Sequence, residues 1–169
     1  MTIHPGDRPG CIGRIVQMHG EFYAAAAGFG VDFEAKVATE LSDFCRRRVE
    51  GRDGLWLALD GDRIEGSIAI DGLHAAEEGA HLRWFIASGA ARGSGVGRAL
   101  LGEALAFCDA RGYGRTFLWT FDALHAARHL YEQHGFALAH TQRGAQWGRE
   151  VTEQRFVRAA PGMADAGGA

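Results

Sequence analysis

The segment Arg92–Gly97, Arg-Gly-Ser-Gly-Val-Gly, carries residue types suited to binding a phosphate group. It follows an apolar run at Leu82–Ile86 that predicts a strand, and it leads into a helical pattern over about Val96–Ala110. A glycine-rich turn that opens a helix presents unpaired backbone N–H groups at the positive end of the helix dipole, where anions bind. Glycine also lets the backbone approach its ligand closely, and Arg92 adds a charged donor. The segment therefore predicts a phosphate site.

Two common phosphate-binding loops are excluded by the spacing. No Gly-Lys-Ser/Thr ends the segment, so it is not a Walker loop. The glycines do not follow GxGxxG, and the segment comes late in the chain instead of after a first strand, so a dinucleotide fingerprint is excluded too. What remains is the pattern RxxGxG, with an ordinary glycine turn as the structural alternative.

The surrounding sequence predicts the elements that must position this loop. Three further helices are expected, at about 13–27, 33–48 and 122–134, the last with Asp122 as its N-cap. Further strands are expected at 55–59, 64–70, 116–120, 136–141 and 152–157, the first two joined by a turn at Asp60-Gly61. Residues 1–10 predict an irregular lead-in. This order indicates one mixed α/β (α+β) domain over residues 1–160, a central sheet flanked by helices, and a flexible tail over 161–169.

Composition narrows the class of protein. The chain has 169 residues, of which 47% are hydrophobic and 23% charged, as in soluble globular proteins. Its formal net charge of −3 predicts no nucleic-acid partner, and no apolar run is long enough to cross a bilayer. Cys11, Cys45 and Cys108 lack metal-ligand spacing and predict reduced thiols in a cytoplasmic protein without a metal.

A second motif lies at Ala126–Phe136, a helix that carries Tyr131 and ends in Gly135-Phe136. Together with RxxGxG, in this order and at this separation, it resembles the GNAT family of N-acetyltransferases, and the likeness covers about residues 13–158. The resemblance implies a twisted, mostly antiparallel sheet and acetyl-CoA as the cofactor. It also implies a homodimer.

The resemblance assigns cofactor contacts to the strand end, the loop and two helix starts. In this family the strand before the loop splays from its neighbour, its free backbone groups bind the pantetheine arm, and one N–H polarises the thioester carbonyl. Tyr131 matches the tyrosine that protonates the departing thiolate, a role suited to a phenol with a pKa near 10. The implied cofactor-binding residues are Phe85, Ile86, Ala87, Arg92, Gly93, Ser94, Gly95, Val96, Gly97, Arg98, Asp122, Ala127 and Tyr131.

The acceptor side is less defined. The candidate substrate residues are His19 and Tyr23, four positions apart on one helix face, together with Trp84 and Trp119. Phe22 and Trp147 are further aromatic candidates for an apolar wall. The base that removes the amine proton stays open among bulk water and five side chains: His19, Glu21, Glu65, His74 and His81.

Within the family, the sequence is most similar to the acetyltransferase half of bacterial proteins fused to a MarR-type regulator. His19–Tyr23, Thr116–Thr120 and Ala126–Phe136 carry that likeness. The regulator's function is not implied, because the printed sequence contains no winged-helix region. Phe121 departs from the asparagine that these relatives tend to have, and Ser88 stands where the family often has proline.

These observations predict direct transfer of an acetyl group from acetyl-CoA to a primary amine, with a small molecule as the acceptor. A protein or peptide N-terminus is the alternative acceptor. A non-catalytic acyl-CoA-binding or regulatory module is the alternative of another class.

Overall fold

The computed structural model describes residues 1–162 and forms one seven-stranded sheet with helices on both faces. The elements are β1 (Thr2–Pro5), α1 (Cys11–Ala27), α2 (Val31–Arg47), β2 (Gly54–Asp60), β3 (Arg63–Asp71), β4 (Ala80–Ala87), α3 (Val96–Ala110), β5 (Arg115–Phe121), α4 (His125–Gln133), β6 (Ala137–Gly144) and β7 (Val151–Ala159). The strand order is β1-β2-β3-β4-β5-β7-β6, and every neighbouring pair is antiparallel except β4 and β5. The predicted fold class is confirmed. The expected tail falls, from residue 163 onward, outside the described residues.

Two apolar layers hold the helices against the sheet. One contains the buried side of α3, including Leu100, Leu101 and Cys108, and extends to Tyr131 of α4. The other contains α1 and α2 and includes Ile15 and Leu41. Alternate residues of β2 and β3 point into opposite layers, as the two-residue period of a strand requires. The sheet is therefore covered on both faces at its centre, where the site lies.

The first ten residues differ from the expected irregular lead-in. Thr2–Pro5 forms β1, which pairs with β2 from Thr2↔Leu59 to Pro5↔Trp56. Ile3 packs against the core, whereas Pro5 ends the strand. A four-residue strand with one inward apolar side chain shows too little hydrophobic alternation to be recognised from the sequence. Its proline is tolerated because the strand lies at the edge of the sheet.

The start of α4 was also predicted wrongly. The helix begins at His125, and Leu124 occupies the N-cap position without a side-chain cap. Phe121 still pairs with Glu153 of β7, and the Asp122 N–H donates to the Thr152 carbonyl at 3.2 Å. Asp122 therefore continues the sheet edge instead of capping the helix.

Residues 1–162 contain neither a membrane-spanning helix nor a cluster of metal-ligating side chains. None of their helices is both long enough and apolar enough to span a membrane. They contain no group of three or more His, Cys, Asp or Glu side chains that could hold a metal ion.

Candidate active site

The glycine-rich loop runs directly into α3. Gly93 and Gly95 have φ angles of 78° and 85°, in the left-handed region that glycine adopts without strain, and Gly95 is the N-cap residue of α3. The Ser94 hydroxyl donates to the Ala91 carbonyl at 2.6 Å, and the Ser94 N–H donates to the same oxygen at 3.3 Å. These bonds fix the turn from within.

Five backbone N–H groups of this segment make no hydrogen bond to the rest of residues 1–162; they belong to Gly93, Gly95, Val96, Gly97 and Arg98. The last three form the first turn of α3, where a helix has no carbonyl to offer them. Several converging N–H groups at a helix N-terminus form an anion site. The loop thus meets the requirement for binding a diphosphate.

Arg92 is oriented by a neighbouring helix. Its guanidinium carbon lies 4.3 Å from the centroid of the Phe22 ring of α1. The exposed Arg92 side chain forms no ion pair within the described part of the chain. A cation held over an aromatic ring keeps its donors available for an anion. The sequence pattern could not show the part that Phe22 plays.

The strands β4 and β5 separate in front of the loop. They pair only at Ala80↔Thr116 and His81↔Phe117, although β4 continues to Ala87 and β5 to Phe121. The facing edges beyond His81 therefore have no partner strand. A gap opens through the sheet at this point, and the backbone donors and acceptors that face it on both sides have no partner strand.

A β-bulge in β4 shapes one side of this gap. The β3–β4 register shifts between Ser67 and Ala69, Trp84 has a φ of 45°, and the Ser67 hydroxyl donates to the Trp84 carbonyl at 2.7 Å. The bulge changes the side to which successive residues point. Leu82 packs in the α3–α4 layer, whereas Trp84, two residues further along, packs in the α1–α2 layer.

A cavity of about 620 Å³ lies between the loop, α1, β4 and α4. Nine of the predicted cofactor-binding residues line it: Phe85, Ile86, Ala87, Arg92, Gly93, Val96, Gly97, Ala127 and Tyr131. A Cβ atom added to Gly97 would lie 3.6 Å from both Phe85 and Leu130, so a larger side chain here must enter the cavity. We call this space the loop cavity.

Four predicted cofactor residues lie outside the loop cavity lining. Ser94 and Gly95 border a separate depression beside Met1 and Ile3. Arg98 and Asp122 are exposed and line neither that depression nor the loop cavity. Gly95 and Arg98 still present backbone N–H groups, as described above, whereas Asp122 is directed to the β7 edge by its own backbone bond.

A second cavity of about 380 Å³ lies on the α1–α2 side of the gap. All four predicted substrate residues, His19, Tyr23, Trp84 and Trp119, line it. Its further aromatic walls are Phe29, Phe33, Phe121 and Trp147. Phe121 packs as expected for a residue that cannot donate, with ring centroids 5.9 Å from Tyr23 and 5.8 Å from Trp147. We call this space the aromatic cavity.

The two cavities meet at Tyr23, Phe85 and Tyr131, which line both. The Phe85 and Tyr131 ring centroids are 6.0 Å apart. Tyr131 is buried and Tyr23 is partly buried, and neither hydroxyl forms a hydrogen bond within residues 1–162. Burial raises the pKa of Tyr23 to about 12 and also raises the pKa of Tyr131, with a contribution from Tyr23. Both phenols therefore stay protonated at neutral pH.

Two of the five candidate bases reach the aromatic cavity, His19 and His81. The His19 Nδ1 lies 2.8 Å from the Ile15 carbonyl, which can only accept, so Nδ1 carries the proton and Nε2 is the acceptor. Burial lowers the pKa of His19 to about 4 and, with help from Arg83, lowers the pKa of His81 to about 3. Both rings are neutral at physiological pH and are weak bases.

The other three candidates are held elsewhere. Glu65 is buried between Arg14 and Arg63, at 3.4 and 2.6 Å. Glu21 accepts from Gln17 on the exposed side of α1, and His74 is exposed in the turn after β3. None of them lines either cavity.

Sequence reasoning identified His19 and His81 but missed the other polar residues of the aromatic cavity, which are Lys36, Glu40, Arg83, Thr120 and Gln146. Periodicity identified the buried side of α2 but could not show that its next face borders a cavity. Gln146 is held by Glu153 of β7, a buried carboxylate that accepts from the Gln146 N–H at 3.1 Å and from the Gln142 amide at 2.9 Å. Burial alone would raise the pKa of Glu153, but these hydrogen bonds outweigh it and lower that pKa.

Solved structures with this fold include three named proteins. The protein yncA from Salmonella typhimurium, whose structure contains its cofactor acetyl-CoA, aligns with a TM-score of 0.75 and 14% identity over 94% of this chain and 93% of that one. Ribosomal-protein-alanine N-acetyltransferase from Brucella melitensis gives 0.73 and 15%, over 94% and 99%. Spermidine N-acetyltransferase from Vibrio cholerae gives 0.68 and 15%, over 94% and 95%. At these identities the likeness shows the fold alone.

No curated protein sequence matches this chain. Residues 18–136, however, match the sequence profile of the Acetyltransferase (GNAT) family. The matched range begins at Met18, near the middle of α1, and ends at Phe136. It includes the glycine-rich loop, the gap between β4 and β5, and Tyr131. The chain therefore belongs to the GNAT acetyltransferase family, whose cofactor is acetyl-CoA.

Proposed function

We propose that this protein transfers the acetyl group of acetyl-CoA to a primary amine of a small molecule by direct attack. One observation carries the proposal: a cavity beside a phosphate-binding loop and a cavity with aromatic walls meet at Tyr23, Phe85 and Tyr131, in a gap between strands. Two substrates that approach from opposite sides of a sheet reach each other only through such a gap. Acetyl-CoA supplies an activated acetyl carbon in a thioester.

The loop cavity fits this cofactor. The unpaired N–H groups at the start of α3 and the side chain of Arg92 match the two negative phosphates of a pyrophosphate. The unpaired edge of β4 between Leu82 and Ala87 offers backbone groups to an amide-containing arm and an N–H to the thioester carbonyl.

Tyr131 is the proposed general acid. The amine nitrogen forms a bond to the acetyl carbon, the C–S bond breaks, and Tyr131 gives its proton to the sulfur as negative charge develops there. The neutral amine loses one of its two N–H protons to water, because His19 and His81 are weak bases, and the other stays in the amide product. Tyr131 then regains a proton from solvent through the cavities that it lines.

The small volume of the aromatic cavity, about 380 Å³, supports a small molecule as the acceptor. Segments that carry the likeness to the MarR-fused acetyltransferases contribute His19, Tyr23 and Trp119 to its walls. On the basis of these three residues we propose that the chain is related to the acetyltransferase half of the MarR-fused proteins.

Cofactor binding is tested with a matched pair of glycine variants on α3. Gly97→Leu places a side chain between Phe85 and Leu130, inside the loop cavity, whereas Gly102→Leu points into open space on the exposed side of the same helix. Acetyl-CoA at about 100 times its dissociation constant stabilises a protein by about 2.7 kcal/mol. We expect this stabilisation in the wild type and in Gly102→Leu, and its loss in Gly97→Leu. A wild type that acetyl-CoA does not stabilise would overturn the proposed function.

Catalysis is tested separately by amine-dependent release of the CoA thiol. Turnover that requires an added primary amine supports an enzyme. Binding of acetyl-CoA without turnover on a broad panel of primary amines favours the alternative, a non-catalytic acyl-CoA-binding module.

A further inference from the structure

Three charged residues line one side of the aromatic cavity, and two of the three are positive. Lys36 and Glu40 come from α2, and Arg83 comes from β4. Glu40 accepts hydrogen bonds from both Lys36 and Arg83. It is the single carboxylate among the residues that line the cavity, against two cations.

Nearby carboxylates do not reverse this balance. Asp71 lies 3.8 Å from Arg83, but it is bound by Arg47 through two hydrogen bonds of 3.1 and 2.5 Å. His19 and His81 carry no charge at neutral pH, since burial lowers the pKa of each to about 4 and about 3. The charged side of the cavity therefore favours an anion.

Arg83 is held in a geometry that suits a carboxylate. Its guanidinium carbon lies over the Trp84 ring, 4.2 Å from the ring centroid, and the guanidinium also donates to Glu40. These two contacts restrain the guanidinium beside the cavity, and an arginine guanidinium can donate the paired hydrogen bonds that carboxylates accept.

The anion site lies close to the reaction site. Arg83 and Phe85 are two residues apart on β4, and Phe85 lines both cavities. Two residues of chain span at most about 7 Å, and the bulge at Trp84 can only shorten that distance. An acceptor that places its amine beside Phe85 and Tyr131 therefore places a carboxylate at Arg83 only if a few bonds separate the two groups.

We propose that the acceptor is an amino acid with an aromatic or apolar side chain. Its carboxylate binds Lys36 and Arg83, its side chain lies against Phe29, Phe33 and Trp147, and its amine points to the junction of the cavities. This assignment rests on the proposed acetyltransferase function. It distinguishes this protein from enzymes that acetylate polyamines. A polyamine carries several positive charges and requires several unpaired carboxylates in its binding site.

The first test compares ligands that differ only in the carboxylate. L-Phenylalanine, 2-phenylethylamine and spermidine are titrated into the wild-type protein without acetyl-CoA, and binding is followed by calorimetry and by the fluorescence of the cavity tryptophans. We expect L-phenylalanine to bind at least tenfold more tightly than either amine. Equal or tighter binding of 2-phenylethylamine or spermidine overturns the proposal, as does the absence of L-phenylalanine binding.

The second test removes the cations one at a time. Lys36→Gln and Arg83→Gln are expected to reduce the preference for L-phenylalanine over 2-phenylethylamine by fivefold or more each. Arg46→Gln is the control, because this exposed arginine lies on α2 away from the cavity. Lys36→Gln keeps the test valid if loss of the Arg83 contacts to Glu40 and Trp84 unfolds the protein. An unchanged preference in a folded Lys36→Gln variant counts against the proposal.

The outcome is distinguishable from failure of the proposed function. The ligand preference is measured without acetyl-CoA, whereas acetyl transfer is measured as CoA release with each amine. Transfer that is equally efficient to all three amines overturns the amino-acid assignment and leaves the acetyltransferase function standing. A carboxylate preference without any transfer overturns the acetyltransferase function and supports the assignment of the anion site.

Discussion

Tyr23 of α1 and Tyr131 of α4 stand on the two sides of the junction between the cavities, and each lines both. Burial raises the pKa of Tyr131, and Tyr23 contributes to that rise. Tyr131 is buried and Tyr23 partly buried, and neither phenol forms a hydrogen bond inside residues 1–162. A pair of unpartnered phenols at the junction is a supply of protons where a leaving group must take one.

Removing the Tyr131 hydroxyl tests which phenol is the acid. Tyr131→Phe is expected to lower kcat about 100-fold or more, because general acid catalysis contributes that much. The dissociation constant of acetyl-CoA and the unfolding free energy should change little, since the hydroxyl has no protein partner. Initial rates of CoA release measure kcat, and calorimetry measures the dissociation constant and the unfolding free energy.

Tyr23→Phe is the matched comparison for this variant. It removes the same group from the same junction, and we expect a loss in kcat of less than tenfold. A larger loss for Tyr23→Phe than for Tyr131→Phe would reverse the assignment and make Tyr23 the acid.

The stacking of Arg92 on Phe22 should affect cofactor affinity. Phe22→Leu removes a cation–π contact that is worth about 0.5–1 kcal/mol at an exposed site, so acetyl-CoA should bind about three times more weakly. Arg92→Gln should weaken binding at least tenfold. Arg111→Gln removes a similar arginine–phenylalanine contact far from both cavities, and it should leave the affinity unchanged. Equal effects of Arg92→Gln and Arg111→Gln would contradict a role of Arg92 in binding the diphosphate.

The buried His19 predicts a loss of stability in acid. Its pKa is about 4 in the folded protein and 6.5 as an ordinary value, so between these values the unfolded chain binds more protons. The stability that a neutral His19 allows is fully present above pH 6.5 and is lost as the pH falls toward 4. At pH 5 the loss from this residue is about 2 kcal/mol.

His19→Gln isolates that contribution, because all other titrating groups are common to both proteins. Unfolding free energies from urea titrations at pH 7 and pH 5 should differ by about 2 kcal/mol less in the variant than in the wild type. An identical pH dependence in the two proteins would show that His19 is not held neutral by burial.

Glu153 should act on the acceptor side through the β6–β7 connection. Glu153→Gln replaces a carboxylate that accepts from Gln142 and Gln146, and charge-assisted bonds of this kind are worth about 2 kcal/mol. We expect lower stability and a higher KM for the acceptor, with the affinity for acetyl-CoA unchanged. Glu150→Gln, which removes an exposed pair with Arg143 in the same connection, should change stability by less than about 0.5 kcal/mol. Similar effects of both changes would contradict the positioning role.

Local patterns predicted the parts of the site that lie together in the chain. The helix at Val96–Ala110 and the glycine loop before it were located from neighbouring residues, and Tyr131 from the resemblance of its helix to the family motif. The fold class followed from the order of the elements. The start of α4 was misplaced because a backbone bond from Asp122 to the distant Thr152 decides it, and no local signal reports such a bond.

The residues of the aromatic cavity required tertiary structure. Arg83 and Glu40 are 43 positions apart and meet because the bulge at Trp84 and the packing of α2 bring them together. Glu65 looked suited to act as a base, but Arg14 of a separate element binds it. An acidic or basic side chain in a sequence does not show whether its charge is already matched.

The separation of β4 and β5 beyond His81 has a kinetic consequence. Each cavity opens to solvent on its own side of the sheet, so both substrates can bind before any product leaves. Initial rates measured against both substrates should therefore give intersecting double-reciprocal lines, the signature of a ternary complex. Free CoA and the acetylated amine should each inhibit by returning to their own cavity.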